Sequence, residues 1–397
     1  MLKRIIFLHV IPIIIALTLV LLIFPLVRNH FNPKNTTKII KGKQTKISAV
    51  MSDLVNSPND ELEYVASIKN KNQLTLFGSS EFTDSPIIPY HFFPDSLGIP
   101  TIGIGHAYHQ ELSILIELLA THQYNKGSKV CIFLSPGWFE ADGTNIQAFI
   151  EFARPNFLKR IDNNKNIDLK YKKHIGEFIQ SQKDNIEGIT KEMNTFITYS
   201  NTNNTSLFDK INNFIKSYFE SINSSEKIEY QITQNNNLTP RKWNGNYDET
   251  AYQIQTQFIN SITTNKMYVY DEYYTKYVVD ENGNERNGTL EAIDFTTNNE
   301  YADFKLLVEY IKEQNINASF VMIPFNPYFY KNASIYKPLI DSITETLSNK
   351  KIPFYNLYVY DTTSYEPGTL KDIMHLGDYG WMKVNKFLYN LYFKDEK

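Results

Sequence analysis

Two short stretches near opposite ends of the chain hold residues whose types and spacing could do nucleophilic chemistry. In "LTLFGSSEFT", residues 74–83, an apolar run ends in Gly78, Ser79 and Ser80, with Glu81 behind them. Glycine lets the backbone turn sharply after a buried strand, and such a turn can expose a serine hydroxyl. In "LKDIMHLGDYGW", residues 370–381, Asp372 and His375 stand three apart ahead of a glycine-punctuated entry into the last helix. A serine hydroxyl ionises far above neutral pH and needs a base, while a histidine base needs a carboxylate to fix its tautomer and stabilise its cation. Taken singly, the first stretch is equally an ordinary turn and the second equally a helix cap. Together in one α/β pattern they favour catalysis. The eight histidines are scattered and no glycine-rich phosphate loop precedes a helix, so neither a metal nor any other cofactor is expected.

Elements that could position these groups follow from the apolar pattern. Short β-rich runs at Leu74 to Phe77, Pro100 to Ile104, Lys129 to Leu134, Ala318 to Ile323 and Pro353 to Leu357 alternate with helical stretches at Gln110 to His122, Asn299 to Gln314 and Lys337 to Asn349. Strand, helix, strand is the rhythm of a parallel sheet covered on both faces, so the expected class is α/β. In such a sheet, ligands bind beyond the carboxyl ends of the strands. Those ends carry Gly78 to Glu81, then Gly103, Ile104, Gly105 and His106, then Ser135 to Phe139 with Trp138, and Pro324 to Pro327 with Asn326. Any one of the four reads as a tight turn when taken alone. From about residue 140 to 293 a helical insertion interrupts the rhythm between the third and fourth strands. Within it Leu207, Phe208, Ile211, Phe214, Ile215, Tyr218, Phe219 and Ile222 share one helical face, and Asn-Gly pairs at 282–283 and 287–288 mark turns.

The 397 residues are 42% apolar and 14% aromatic, enough for a sizeable core. Forty basic and 43 acidic residues give a net charge of −3, with no basic footprint for nucleic acid. The single Cys131 sits in the apolar run 130–134, which excludes an intrachain disulfide and marks a buried thiol rather than a nucleophile. Residues 5–27 are apolar except for His9 and Thr18, long enough for a helix across a hydrocarbon core of about 30 Å. The run is too long for a cleaved signal and ends in Phe-Pro-Leu-Val-Arg, so residues 1–30 are expected to be an uncleaved membrane anchor. A polar stalk at 31–70 and a catalytic domain at 71–397 follow. Lys3 and Arg4 favour a cytoplasmic start, but Arg28, Lys34, Lys38, Lys41, Lys43 and Lys46 pull the other way, so charge alone leaves the orientation open.

A Gly-x-Ser turn after the first strand with a terminal Asp-x-x-His resembles the SGNH hydrolase superfamily, whose sheet is flavodoxin-like. More closely, "FGSSEF", "IGIGHA", "CIFLSPGWF", "IPFNPYFY" and "DIMHLGDYGW" together resemble the DltD family of D-alanyl-lipoteichoic acid biosynthesis proteins of Gram-positive bacteria. The likeness runs from the anchor to the last helix, though the insertion carries no motif that matches. It implies Ser80 as nucleophile, His375 as base and Asp372 as its orienting partner, with Ser79 the competing nucleophile. Ser80 is the expected one because the superfamily places its serine second after the glycine, at the start of a helix. Two features depart from the superfamily: there is no Gly-Asp-Ser, and Ser135-Pro136-Gly137-Trp138 stands where Gly-x-Asn-Asp is expected. Gly105 and the Ser80 amide are then the remaining oxyanion donors, Trp138 and Asn326 are pocket candidates, and Glu81 either caps its helix or meets an aminoacyl ammonium. The implied activity is D-alanine transfer to lipoteichoic acid on the outer face of the membrane, working with the membrane-bound acyltransferase DltB and the D-alanyl carrier protein. A thioesterase that hydrolyses a mischarged carrier, or a docking module without catalysis, fits the same anchored α/β domain.

Overall fold

The computed structural model describes residues 73–82, 85–99, 101–105, 107–121, 127–140, 143–201, 243 and 245–394, together with the two-residue strands Ile39–Ile40 and Gln231–Ile232. Five strands form one sheet: β1 Leu74–Phe77, β2 Thr101–Ile104, β3 Lys129–Leu134, β4 Asn317–Met322 and β5 Phe354–Asn356. All neighbours are parallel and the order is β2-β1-β3-β4-β5. The chain turns outward from β1 to β2 and then crosses back to β3, so the order reverses between β1 and β3. The crevice beyond the strand ends at such a reversal is where open α/β sheets hold ligands. β5 starts one residue later than the apolar run implies because Pro353 has no N–H to give; its carbonyl still accepts from Phe320 N at 2.9 Å.

Side-chain alternation along the strands divides the core in two. Phe77, Ile102, Ile104, Val130, Ile132, Leu134, Phe320 and Met322 point to one face, where they pack with the helices Glu111–Thr121, Asn299–Glu313 and Lys337–Asn349. Leu74, Leu76, Cys131, Phe133 and Val321 point to the other, against helices Pro89–Leu97 and Asp378–Tyr392. The helices are labelled in chain order: α1 Pro89–Leu97, α2 Glu111–Thr121, α3 Ile146–Phe152, α4 Pro155–Asn163, α5 Leu169–Ser181, α6 Lys191–Asn201, α7 Tyr247–Ser261, α8 Asn299–Glu313, α9 Lys337–Asn349 and α10 Asp378–Tyr392. Burying each Leu, Ile or Phe contributes about 1.5–3 kcal/mol, so the sheet is fixed from both sides.

Between β3 and β4 the chain makes a short helical turn at Pro136–Glu140, then α3 to α6, then α7, and a segment with short helical turns at Asp271–Tyr273 and Tyr274–Val278 leads to α8. Polar residues start several of these helices by side-chain bonds to free amides: Asn145 accepts from Ala148 N at 3.1 Å, Asn246 from Glu249 N at 3.1 Å and Asn298 from Tyr301 N at 2.9 Å. In α5 a Cβ on Gly176 would lie 2.0 Å from Phe196 O, so glycine permits the close approach of α6. Asn282-Gly283 is a turn, with Asp280 Oδ1 accepting from the amides of Asn282 and Asn284, each at 2.8 Å. Asn287-Gly288 is not: Gly288 pairs with Tyr330 in a parallel bridge, and Gly288 N donates to Phe329 O at 3.1 Å.

The chain divides into two units. Residues 42–201 and 234–397 include the sheet and the helices above; residues 1–41 and 202–233 include the parallel pairing of Ile39–Ile40 with Gln231–Ile232. The apolar run 5–27, the stalk 31–70 and the apolar face at 207–222 lie outside the described residues, among which no helix is long and apolar enough to cross a membrane.

Candidate active site

The turn after β1 is pinned at successive backbone groups. Gly78 N donates to Ile104 O at 3.1 Å, Ser79 N donates to Glu81 Oε1 at 2.6 Å, and Phe82 N donates to Ser79 O at 3.1 Å. Phe82 then anchors the turn below, its ring edge-on to Phe133 at 5.6 Å and to Tyr90 at 5.5 Å. No helix begins here, contrary to the expectation for Ser80: residues 79–82 form a turn, and α1 starts only at Pro89. Gly105, at the end of β2, has φ +141°, and a Cβ there would sit 1.8 Å from Gly78 O, so only glycine lets the two strand ends meet. His106 lies outside the described residues.

The loop carrying Asp372 and His375 is closed by its own backbone. Lys371 N donates to His375 O at 2.9 Å, Leu370 and Leu376 pair in an antiparallel bridge, and Gly377 N donates to Thr369 O at 2.9 Å. Inside it, Asp372 Oδ1 accepts from the amides of Met374 at 2.8 Å and His375 at 2.7 Å, while Asp372 Oδ2 meets His375 Nδ1 at 2.8 Å. His375 Nε2 in turn lies 3.0 Å from Ser80 Oγ. Burial pushes the Asp372 carboxyl up, but the His375 hydrogen bond and charge and the two amides outweigh it and hold it below its ordinary value. Ser80 is exposed. Ser79 is 1% exposed, and its Oγ has no hydrogen-bond partner, so of the two serines it is Ser80 that meets the imidazole.

An exposed hydroxyl, an imidazole and an ionised, almost buried carboxylate in series are an arrangement that can deprotonate the hydroxyl and ready it as a nucleophile. The DltD family model, described as "DltD protein", matches residues 55–393. The chain belongs to the DltD family. It is also 24% identical over 346 residues to Protein DltD of Bacillus subtilis (strain 168), covering 82% of this chain and 83% of that protein.

Not every candidate in this DltD chain joins the serine and histidine. Glu81 is buried and caps its own turn through Ser79 N; burial raises its carboxyl above the ordinary range despite that bond and the charges of His375 and His109. Trp138 packs in the core on the α2 side of the sheet. Asn326 is fully buried: its Nδ2 donates to Met267 O at 2.9 Å and its Oδ1 accepts from Tyr328 N at 2.9 Å. Its backbone N donates to Ile373 O at 3.0 Å, so Asn326 ties the strand end to the Asp372–His375 loop.

Two sets of buried ionisable residues escaped the sequence reading. His109 Nδ1 lies 3.2 Å from Gly78 O, with Glu117 behind it. Glu111, Glu300 and Asp303 cluster between α2 and α8, and His174 from α5 contacts Asp303. The signal for both was weak, because all eleven residues of α2 are buried and its glutamates resemble ordinary polar positions of a helix.

Proposed function

We propose that this chain takes part in the D-alanylation of lipoteichoic acid as a serine acyltransferase, in an SGNH-hydrolase-like domain spanning about residues 71–397. Membership of the DltD family supports a role in that pathway. The observation that carries the catalytic reading is the continuous series Asp372 Oδ2, His375 and Ser80 Oγ, with spacings of 2.8 and 3.0 Å.

In the first half-reaction Ser80 Oγ attacks the carbonyl carbon of a D-alanyl ester or thioester, and its proton passes to His375 Nε2. The carbonyl oxygen becomes an oxyanion, for which the amides of Ser80 and Gly105 are the proposed donors. Collapse breaks the bond to the donor's oxygen or sulfur, which takes the proton from His375 Nε2 and leaves an alanyl ester on Ser80. A glycerol hydroxyl of the polymer then gives its proton to His375, attacks that ester, and Ser80 leaves with the proton restored. Asp372 holds the Nδ1–H tautomer and balances the imidazolium in both halves. The carrier protein and the acyltransferase DltB are the proposed source of the alanyl group. The run 5–27 is the proposed anchor, and the domain is placed outside because the polymer is there.

General-base and nucleophilic groups each contribute about a hundredfold or more. Cells carrying Ser80→Ala or His375→Ala should lose nearly all D-alanine ester from their lipoteichoic acid, and near-normal incorporation overturns the reading. In the same cells, protease added to intact protoplasts should degrade the domain while cytoplasmic markers survive. Full protection would place the site inside, where hydrolysis of a mischarged carrier replaces transfer.

A further inference from the structure

The Gly78 carbonyl is met by a residue of the segment that joins β2 to α2. That residue is His109, which is 0% exposed and stacked on Phe152 with ring centroids 4.0 Å apart. A carbonyl can only accept, so the contact of 3.2 Å with His109 Nδ1 requires the hydrogen on Nδ1. The other ring nitrogen faces Glu117 Oε1 at 3.3 Å. His109 Nε2 and both Glu117 oxygens are buried and none has a hydrogen-bond partner, so the carboxyl lies behind the ring within ion-pair range and not in an aligned hydrogen bond. Glu117 lies on α2, and both residues are buried.

With His109 included, the four backbone polar groups of Gly78 and Ser79 are all bonded: Gly78 N to Ile104, Gly78 O to His109, Ser79 N to Glu81 and Ser79 O to Phe82. The next amide along the chain is that of Ser80. We infer that Glu117 and His109 are a positioning pair: Glu117 backs the ring, and Nδ1–H of His109 fixes the Gly78–Ser79 peptide plane, thereby aiming the hydroxyl and amide of Ser80. The pair touches no reacting atom, and its influence on the chemistry passes entirely through the turn. This inference rests on Ser80 being an activated serine.

Packing and hydrogen bonding can be separated at position 109. Phenylalanine keeps the stack on Phe152 but has no donor. Asparagine loses the stack but places an amide N–H near the position of Nδ1. Both variants are made with Glu117→Gln so that neither leaves a lone buried carboxyl. The full-length chain in detergent is treated with a fluorophosphonate, which phosphonylates activated serines, and thermal unfolding is followed in parallel. Glu117→Gln alone should label within about threefold of wild type, because its amide can donate to Nε2. His109→Phe should melt below wild type, because it strands the Gly78 carbonyl, but above His109→Asn, which also loses the stack, and should label on the order of tenfold more slowly, since small misplacements of a reacting group cost up to a hundredfold. His109→Asn should melt lower yet label faster than His109→Phe. The reverse order of labelling, tracking the melting temperatures, reduces His109 to a packing residue and overturns the inference. A wild-type chain inert to the probe, with Ser80→Ala as the blank, removes the serine reading and this inference with it. A reactive wild type with an equally reactive His109→Phe removes only the inference.

Discussion

Asp372 is ionised at neutral pH although almost wholly buried, and that charge sets the proton on its neighbour. Its Oδ1 is occupied by the amides of Met374 and His375, so only Oδ2 faces His375 Nδ1. Nδ1 must then carry the hydrogen, and Nε2 is left free to accept from Ser80. In Asp372→Asn the amide oxygen would keep the two backbone bonds, and the NH₂ would face Nδ1 and force it to accept. The proton would move to Nε2, which could then no longer take the serine's. Transfer to lipoteichoic acid is expected to fall by about 10³–10⁴-fold with the fold intact. The same carboxyl predicts an acid limb of stability. Its folded value lies below the ordinary 3.8, so its contribution is complete above that value and lost as pH falls through the folded one. Urea melts of wild type and Asp372→Asn should therefore differ more at pH 7 than at pH 3, and equal differences would show that the charge adds nothing to folding.

Asn326 shows what holds the Asp372–His375 loop at the level of elements. The loop after β4 lies between the Asp372–His375 loop, bonded to it through Asn326 N and Ile373 O, and the insertion, bonded through Asn326 Nδ2 and Met267 O. Tyr270 N donates to Lys371 O at 3.1 Å, and Ile373 packs with Met267, Val269, Val278 and Phe329, so the insertion grips the loop directly. Asn326→Ala would strand Met267 O and Tyr328 N, each a loss of about 1–3 kcal/mol when buried. We expect urea unfolding to shift by about 2–4 kcal/mol and transfer to drop about tenfold even where the protein is folded; full activity at lowered stability would show that the tie does not position His375. None of this is written locally. The strands were legible because Leu74–Phe77 and Lys129–Leu134 are continuous apolar runs of parallel-sheet type, and Asp372 with His375 because their spacing is local. Asn326 was legible as a strand-end residue, but its partners are 59 residues upstream and 47 downstream, a separation no periodicity reports. Ser80 was expected at the start of a helix because the superfamily the sequence resembles places its serine there, whereas here Phe82 drops into the core against Phe133 and Tyr90 before any helix begins.

At the scale of the molecule, the face of the sheet that carries His109 also hides a set of carboxyls. Gln110 Nε2 donates to Glu300 Oε2 at 2.9 Å, Glu111 N lies 3.3 Å from Glu300 Oε1, and Thr144 Oγ1 lies 3.3 Å from Asp303 Oδ2. Together these join α2, α8 and the loop before α3, while His174 from α5 contacts Asp303 from the partly open side. Burial raises Glu111 to about 7, against an ordinary value of 4.5. Burial and the charge of Glu111 raise Glu300, and burial raises Asp303 against the opposing pull of His174. A carboxyl raised on folding keeps its proton longer in the folded state than in the unfolded one. The folded state then binds more protons between the two values, and stability falls as pH rises through that window. His174 acts in the same direction. Burial lowers its value, but Asp303, with a smaller pull from Glu177, raises it on balance, so its contribution is full below about 6.5 and is lost as pH climbs through the raised value. The cluster should therefore weaken the fold progressively from about pH 4.5 to beyond 7. Glutamine cannot ionise, so Glu111→Gln should resemble wild type at pH 4.5 and exceed it by on the order of 1–3 kcal/mol at pH 8. Urea melts of the two proteins across that range should converge toward acid and diverge toward base, and parallel curves would mean that Glu111 ionises alike in the folded and unfolded chain. The Asp372 carboxylate acts with the opposite sign but only below 3.8, under the window in which the cluster acts, so these groups together place maximal stability between about pH 3.8 and 4.5.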